Sequence, residues 1–164
     1  MAFEIERRFL VDPKRLPKLK PGQVQVQGYL NQAPDKKTVE VRIRIEKQKA
    51  TLALKAFKTK LTRCEFEYPL PFREAEQILR LTPYQVTKVR HHLEVSGKTW
   101  VIDFFRGANF PLVIAEVELK TEKEKLELPL WVTKEVTNNL AFTAAMLAFK
   151  PFQSWTKSDL KKTS

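Results

Sequence analysis

The sequence carries one cysteine, four glycines and two histidines among 164 residues, and no apolar run approaching the roughly 18 residues that a membrane-spanning helix needs. A single thiol excludes an intramolecular disulfide framework. The lack of a long apolar run and of a hydrophobic leader sets the expectation of a cytoplasmic protein that does not enter a membrane. Cys64 alternates in phase with Phe66 and Tyr68, which reads as a buried structural thiol with no catalytic role. His91 and His92 are adjacent, so on a strand they point to opposite faces and cannot chelate one ion together. Only His92 is kept, as a candidate phosphate contact.

What is abundant is apolar and charged side chain, at 43% and 30% of the chain. That composition over this length fits one domain with its own core. Ten prolines and recurring β-branched and aromatic residues point to many strands rather than a helical bundle. The net charge of +11 favours an anionic partner without choosing among nucleic acid, nucleotide, polyphosphate and an anionic surface.

Period-two alternation organises the chain. Phe3 to Phe9 sets Glu4, Glu6 and Arg8 opposite Phe3, Ile5 and Phe9, and Thr38 to Lys47 sets Glu40, Arg42, Arg44 and Glu46 opposite Val39, Val41, Ile43 and Ile45. Between them Val24 to Leu30 reads as a strand with Tyr29 in phase with Gln25 and Gln27. Ala50 to Phe57 carries Lys55, and Thr62 to Tyr68 carries Arg63, Glu65 and Glu67 on one face. Phe72 to Leu81 changes to helical spacing after two prolines. Val86 to Val95, with Lys88, Arg90, His92 and Glu94 in phase, turns at Ser96-Gly97 into Thr99 to Phe105 with Asp103, a hairpin pattern. Leu112 to Lys120 aligns Glu116 and Glu118, and Asn138 to Phe149 reads as a second helix. The expectation is a β-dominated α+β domain of about eight strands and two helices over residues 1–151, followed by a basic, mobile tail over 152–164.

A charged face on a single strand is ordinarily just solvated. Repetition of that face on almost every strand is what favours closure into an antiparallel barrel with a charged interior. The cations Arg42, Arg44, Lys55, Arg63, Lys88 and Arg90 suit a triphosphate, since Arg offers planar bidentate hydrogen bonds and Lys a compact charge. The carboxylates Glu4, Glu6, Glu65, Glu67, Asp103, Glu116 and Glu118 suit a hard divalent ion, Mg2+ or Mn2+, which prefers oxygen ligands and often shares them with substrate phosphates.

The run Glu4-Ile5-Glu6-Arg7-Arg8-Phe9-Leu10 resembles the E-x-E-x-K signature of the CYTH family, the triphosphate tunnel metalloenzymes. Gln27-Gly28-Tyr29-Leu30, Val41-Arg42-Ile43-Arg44, Leu54-Lys55, Arg63-Cys64-Glu65-Phe66-Glu67, Lys88-Val89-Arg90, Ile102-Asp103-Phe104-Phe105-Arg106-Gly107, Ala115-Glu116-Val117-Glu118 and Glu135-Val136-Thr137 are similar to further family segments in family order. The resemblance runs from about Phe3 to Pro151. It implies an eight-stranded antiparallel tunnel, with Glu4, Glu6 and Glu118 as metal ligands and Glu116 and Asp103 as further candidates. It also implies that the six cations cradle phosphates, that Glu65 and Glu67 are other tunnel carboxylates, and that Arg8 and Tyr29 occupy catalytic positions. Arg8 stands where the family carries Lys, and Asn139, Ala141-Phe142 and Ala144 stand where it often continues with Asp, Arg-Tyr and Asn.

The function so implied is metal-dependent hydrolysis of a small triphosphate, inorganic tripolyphosphate above all, by water attack on the terminal phosphate. Alternatives are a nucleotide or polyphosphate binder with little or no turnover, a nucleoside or thiamine triphosphatase, and an adenylate cyclase of the same fold. Trp100, Trp131 and Trp155 read as packing residues, and no aromatic-basic motif for RNA is visible. Nucleic acid therefore ranks below a small triphosphate as partner, and a homodimer is left open.

Overall fold

The computed structural model describes residues 2–31, 37–59 and 61–162. Among these residues there are nine strands: β1 Ala2–Val11, β2 Gln23–Tyr29, β3 Glu40–Glu46, β4 Lys49–Phe57, β5 Thr62–Leu70, β6 Gln85–Val95, β7 Lys98–Phe105, β8 Val113–Glu118 and β9 Val132–Glu135. Three helices accompany them: α1 Phe72–Leu81, α2 Ala144–Phe149 and α3 Lys157–Lys162. The order β5-β4-β3-β2-β6-β7-β8-β1 is closed by pairing of β1 with β5, which makes an eight-stranded antiparallel barrel, and β9 adds to β1 outside the ring. No helix among the described residues is long and apolar enough to cross a membrane.

Closure depends on the length of β1. Its first half, Ala2 to Ile5, pairs with β5, while Glu6 to Leu10 pair with β8. Where β5 ends, β9 takes its side of the strand at Phe9 to Val11, after a register shift between Leu10 and Val11.

Alternation sends one side chain in two inward, and the outward apolar set needs cover. On one flank α1 lays Ala75 and Leu79 over Ile43 and Ala50. The helix comes so close to β2 that a Cβ on Gly28 would stand 2.4 Å from Leu79 Cδ2, which accounts for a glycine inside a strand. On the other flank Trp131 covers Phe9, Trp100, Ile102, Ala115 and Val117, with the Trp100 and Trp131 rings edge to face at 5.0 Å.

A third apolar cluster fills one end of the barrel. Leu10, Tyr29, Val86, Phe105 and Ile114 continue the inward phase of their strands but are apolar or aromatic, and Phe142, Ala145 and Leu147 close over them. The expected single helix over 138–149 is broken here. Leu140–Phe142 is a 3-10 turn, and Thr143 restarts the chain as α2 by accepting from Met146 N through its hydroxyl. Buried Asn109 fastens this end, donating to Leu147 O and accepting from Phe152 N. Farther on, the Trp155 ring packs against Phe142 and Phe152.

Candidate functional site

The barrel encloses a cavity of about 230 Å³ whose wall includes every charged residue singled out from the sequence except Asp103. The lining is polarised by strand order. β3 and β6, which bring Arg42, Arg44, Lys88 and Arg90, flank the uncharged interior of β2, with Gln25 opposite Lys88, Gln27 opposite Arg44 and Tyr29 opposite Arg42. Across the lumen β5, β1 and β8 are neighbours and bring Glu65, Glu67, Glu4, Glu6, Glu116 and Glu118 together with Arg63 and Arg8. Among the described residues seven cationic and seven carboxylate side chains line the cavity, so they balance. The excess of eleven positive charges is therefore carried elsewhere on the protein.

Each lining cation is held by carboxylates. Lys55 Nζ donates to both oxygens of Glu4 at 3.0 and 3.3 Å and lies 3.0 Å from Glu65. Arg63 pairs with Glu6 and stands 3.2 Å from Glu4. Arg42 reaches Glu65 at 3.4 Å and Glu67 at 3.1 Å, and Arg44 shares Glu67 at 3.0 Å. The buried Arg42 Nε meets no partner, an uncommon state for a buried donor.

Arg8 spans two carboxylates, Nη2 to Glu6 at 2.5 Å and Nε to Glu116 at 3.0 Å. Asp103 lies behind the wall at 1% exposure. It accepts Arg90 in a two-pronged pair at 2.8 and 2.6 Å and Lys88 at 2.5 Å, so both of its oxygens are engaged. Glu116 likewise gives one oxygen to Arg8 and the other to Arg90 at 3.3 Å.

The electrostatics follow from this pairing. Burial works against the Glu116 carboxylate, but Arg8, Lys88 and Arg90 hold it well below the usual range. Burial and the neighbouring Arg90 push the Lys88 ammonium down to about 8, more than Asp103 restores. Burial, then Glu4, Glu6 and Glu65, lift Glu118 above the usual range, with Lys55 opposing. Burial raises the Tyr29 phenol, which stays neutral and donates to Gln27 at 3.0 Å. Gln27 in turn donates to Gln25 at 3.3 Å, and Gln25 to Glu46 at 2.7 Å.

Gln25, Gln27 and Glu40 were not singled out as site residues, whereas Tyr29 was. Gln25 and Gln27 carry no charge, and strand phase was their only signal; Glu40 was visible on the charged face of β3 but had no assigned part. His91 points away from the lumen and holds Lys20 O through Nδ1 at 2.8 Å, while His92 lines the cavity mouth.

Comparison with known proteins agrees with this geometry. The CYTH domain pattern matches residues 2–146. An inorganic triphosphatase of Acetivibrio thermocellus is 34% identical over 157 residues, covering 94% of this chain and 99% of the relative. One of Nitrosomonas europaea is 30% identical, covering 88% and 96%. A crystal structure of an inorganic triphosphatase superposes with a TM-score of 0.66 at 28% identity, over 90% of this chain and 95% of that one. The chain belongs to the CYTH domain family.

Proposed function

We propose that this protein hydrolyses a triphosphate, inorganic tripolyphosphate foremost, inside the tunnel with the help of a divalent cation. The observation that carries this reading is the polarised lumen, a mainly cationic wall on β3 and β6 that includes Glu40 facing a mainly acidic wall on β5, β1 and β8 that includes Arg63 and Arg8, with the buried Arg42 Nε unspent. The names of the two relatives point the same way. A nucleotide is less well matched, because among the described residues the only aromatic side chain lining the tunnel, Tyr29, is tied to Gln27.

The acidic wall fits a hard cation by its chemistry, since Glu4, Glu6 and Glu118 offer only carboxylate oxygens and crowd one another enough to lift Glu118. Among the described residues no three acids, histidines or cysteines stand at ligand spacing, because Glu4 and Glu6 are drawn onto Lys55, Arg63 and Arg8. A divalent ion bound there, Mg2+ or Mn2+, supplies positive charge against the phosphate oxygens. With a cation held there, Lys55 and Arg63 would be freed from those carboxylates to face the substrate.

In this reading Arg42, Arg44, Lys55, Arg63, Lys88 and Arg90 bind and orient the phosphate chain. Asp103 fixes the directions of Arg90 and Lys88, which is a positioning part rather than ligation. Arg8 cannot give up its proton, so it braces Glu6 and Glu116 and orients, and Tyr29 closes the inner end of the site.

The test is phosphate release from tripolyphosphate, ATP, thiamine triphosphate and pyrophosphate, with Mg2+, Mn2+ or chelator. Tripolyphosphate should rank first. Cyclic AMP from ATP, or binding of all four without release, would contradict the proposal.

A further inference from the structure

We infer that a leucine-tipped turn and the basic ridge beside it form a docking surface for an anionic lipid bilayer. This surface lies on the outside of the barrel, where the positive excess resides, and takes no part in the reaction inside the tunnel.

The turn is built to hold aliphatic side chains in water. Val132 N donates to Pro129 O at 3.0 Å, which closes a four-residue turn with Leu130 and Trp131 at its centre. Trp131 is 4% exposed and anchors the turn in the apolar cluster of that flank, whereas Leu130 is 86% exposed and Leu128 51%. Leu126, two residues before Leu128, packs on the same cluster. The loop is thus fixed on both sides of its two exposed leucines. A single exposed leucine is ordinary, so what this pair does depends on what surrounds it.

The surroundings are cationic. Pro13, Pro17 and Pro21 recur at every fourth position of the connection between β1 and β2 and stiffen it by fixing φ. Leu16 packs inward on the cluster that holds Trp131, while Lys14, Arg15, Lys18 and Lys20 are exposed. The ridge is tied to the turn: Asp12 N donates to Trp131 O at 2.9 Å, and Arg15 Nη1 reaches Leu130 O at 3.5 Å. At its far end Lys20 O meets His91 Nδ1 at 2.8 Å. Asp12 is the one acid of the ridge, and its carboxylate is taken up by Lys14 N and Arg15. On the turn side Lys125 is exposed, with Glu127 as the acid that opposes it.

The two halves of the surface call for different things. The phosphates of a nucleic acid would engage the cations, but the leucines add nothing to such contacts. A neutral apolar protein face would cover the leucines and leave the cations to be desolvated without partners. An anionic bilayer satisfies both halves. Its headgroup phosphates meet the row of cations while Leu128 and Leu130 enter the boundary with the acyl chains, as in proteins that lie on a membrane without crossing it. Such a contact needs no spanning segment.

Co-sedimentation of the full chain with vesicles of phosphatidylcholine alone, and of phosphatidylcholine mixed with phosphatidylglycerol, tests this surface. The mixed vesicles should bind the protein and the neutral ones should not. Leu128→Ser together with Leu130→Ser should weaken binding about tenfold or more. Lys14→Gln together with Lys18→Gln should weaken it by roughly fivefold for each cation removed. All four side chains are exposed, so both variants should keep the wild-type melting curve, which separates lost docking from lost folding. No binding to the mixed vesicles at low salt would overturn the proposal. Undiminished binding of the leucine variant would overturn it too, since charge alone would then account for the attraction. Binding of a DNA duplex that the leucine changes leave untouched, with none to either vesicle, would make the ridge a nucleic-acid surface instead.

Discussion

Glu6 on β1 and Glu118 on β8 stand directly opposite one another, their Cα atoms in register across the seam where the barrel closes. Glu6 is neutralised by Arg8 and Arg63, whereas Glu118 is lifted by burial and by its acidic neighbours. Like charges placed opposite on paired strands destabilise. A carboxyl whose folded pKa is raised binds more protons than the unfolded chain does, so stability falls as pH rises through the window above the ordinary glutamate value. Glu118→Gln should therefore remove that fall and leave the metal-free protein as stable as wild type or more so. With Mg2+ or Mn2+ the wild type should gain in Tm, and the same change should abolish that gain. Melting curves across pH 4 to 7, an interval of about three units around the carboxylate range, with and without metal, check both.

Lys88 offers a second pH signature. Its folded pKa of about 8 lies below the unfolded value of about 10.4, so the folded protein binds fewer protons between the two. Stability contributed by this group rises with pH across that window, while its attraction for phosphate is lost. KM for tripolyphosphate should climb as pH passes through about 8, and Lys88→Arg, which stays charged, should flatten the climb. A KM indifferent to pH in the wild type would contradict the assignment.

Asp103→Ala leaves Arg90 and Lys88 without their buried partner. Removing one side of a buried ion pair costs about 3–5 kcal/mol, read as a lower urea midpoint. Asp103→Glu, which keeps the charge but lengthens the arm, should recover much of the stability with a raised KM. That split marks positioning rather than simple support.

Arg8→Lys replaces a two-armed brace by one ammonium, which cannot hold Glu6 and Glu116 together as Nη2 and Nε do. Loss of one charge-assisted hydrogen bond costs about 1.5–3 kcal/mol, so Tm and kcat/KM should both fall. A rise in kcat would instead show that a protonatable amine at position 8 is what this tunnel lacks.

How far the sequence foretold this site depends on strand phase. Alternation in β1, β3, β5, β6 and β8 placed the lumen residues correctly, because inward position is a strictly local property. The helix Phe72–Leu81 was equally visible from its spacing. β9, by contrast, has only four residues, too short to show a period, and exists because β1 outruns β5. The break at Thr143 came from a hydroxyl cap inside a run of good helix formers, where composition favoured one helix. The apolar cluster at one end of the barrel was hidden for another reason: Leu10, Phe105 and Ile114 have the right phase, but only closure of the ring shows that they share one level. Which carboxylate faces which cation is likewise set by the tilt of strands in the barrel, so the engagement of both Asp103 oxygens by Arg90 and Lys88 was not readable.

The most direct measurement is the initial rate of phosphate release from tripolyphosphate as Mg2+ or Mn2+ is titrated into chelator-treated protein. Among the described residues seven cations and seven carboxylates line the lumen, so a divalent ion held by the carboxylates would leave it with a net positive charge toward a polyanion. The expected result is no release with chelator and a saturable rise with metal, lost in Arg42→Ala. Release that persists undiminished in chelator, or none at any metal concentration, would contradict it.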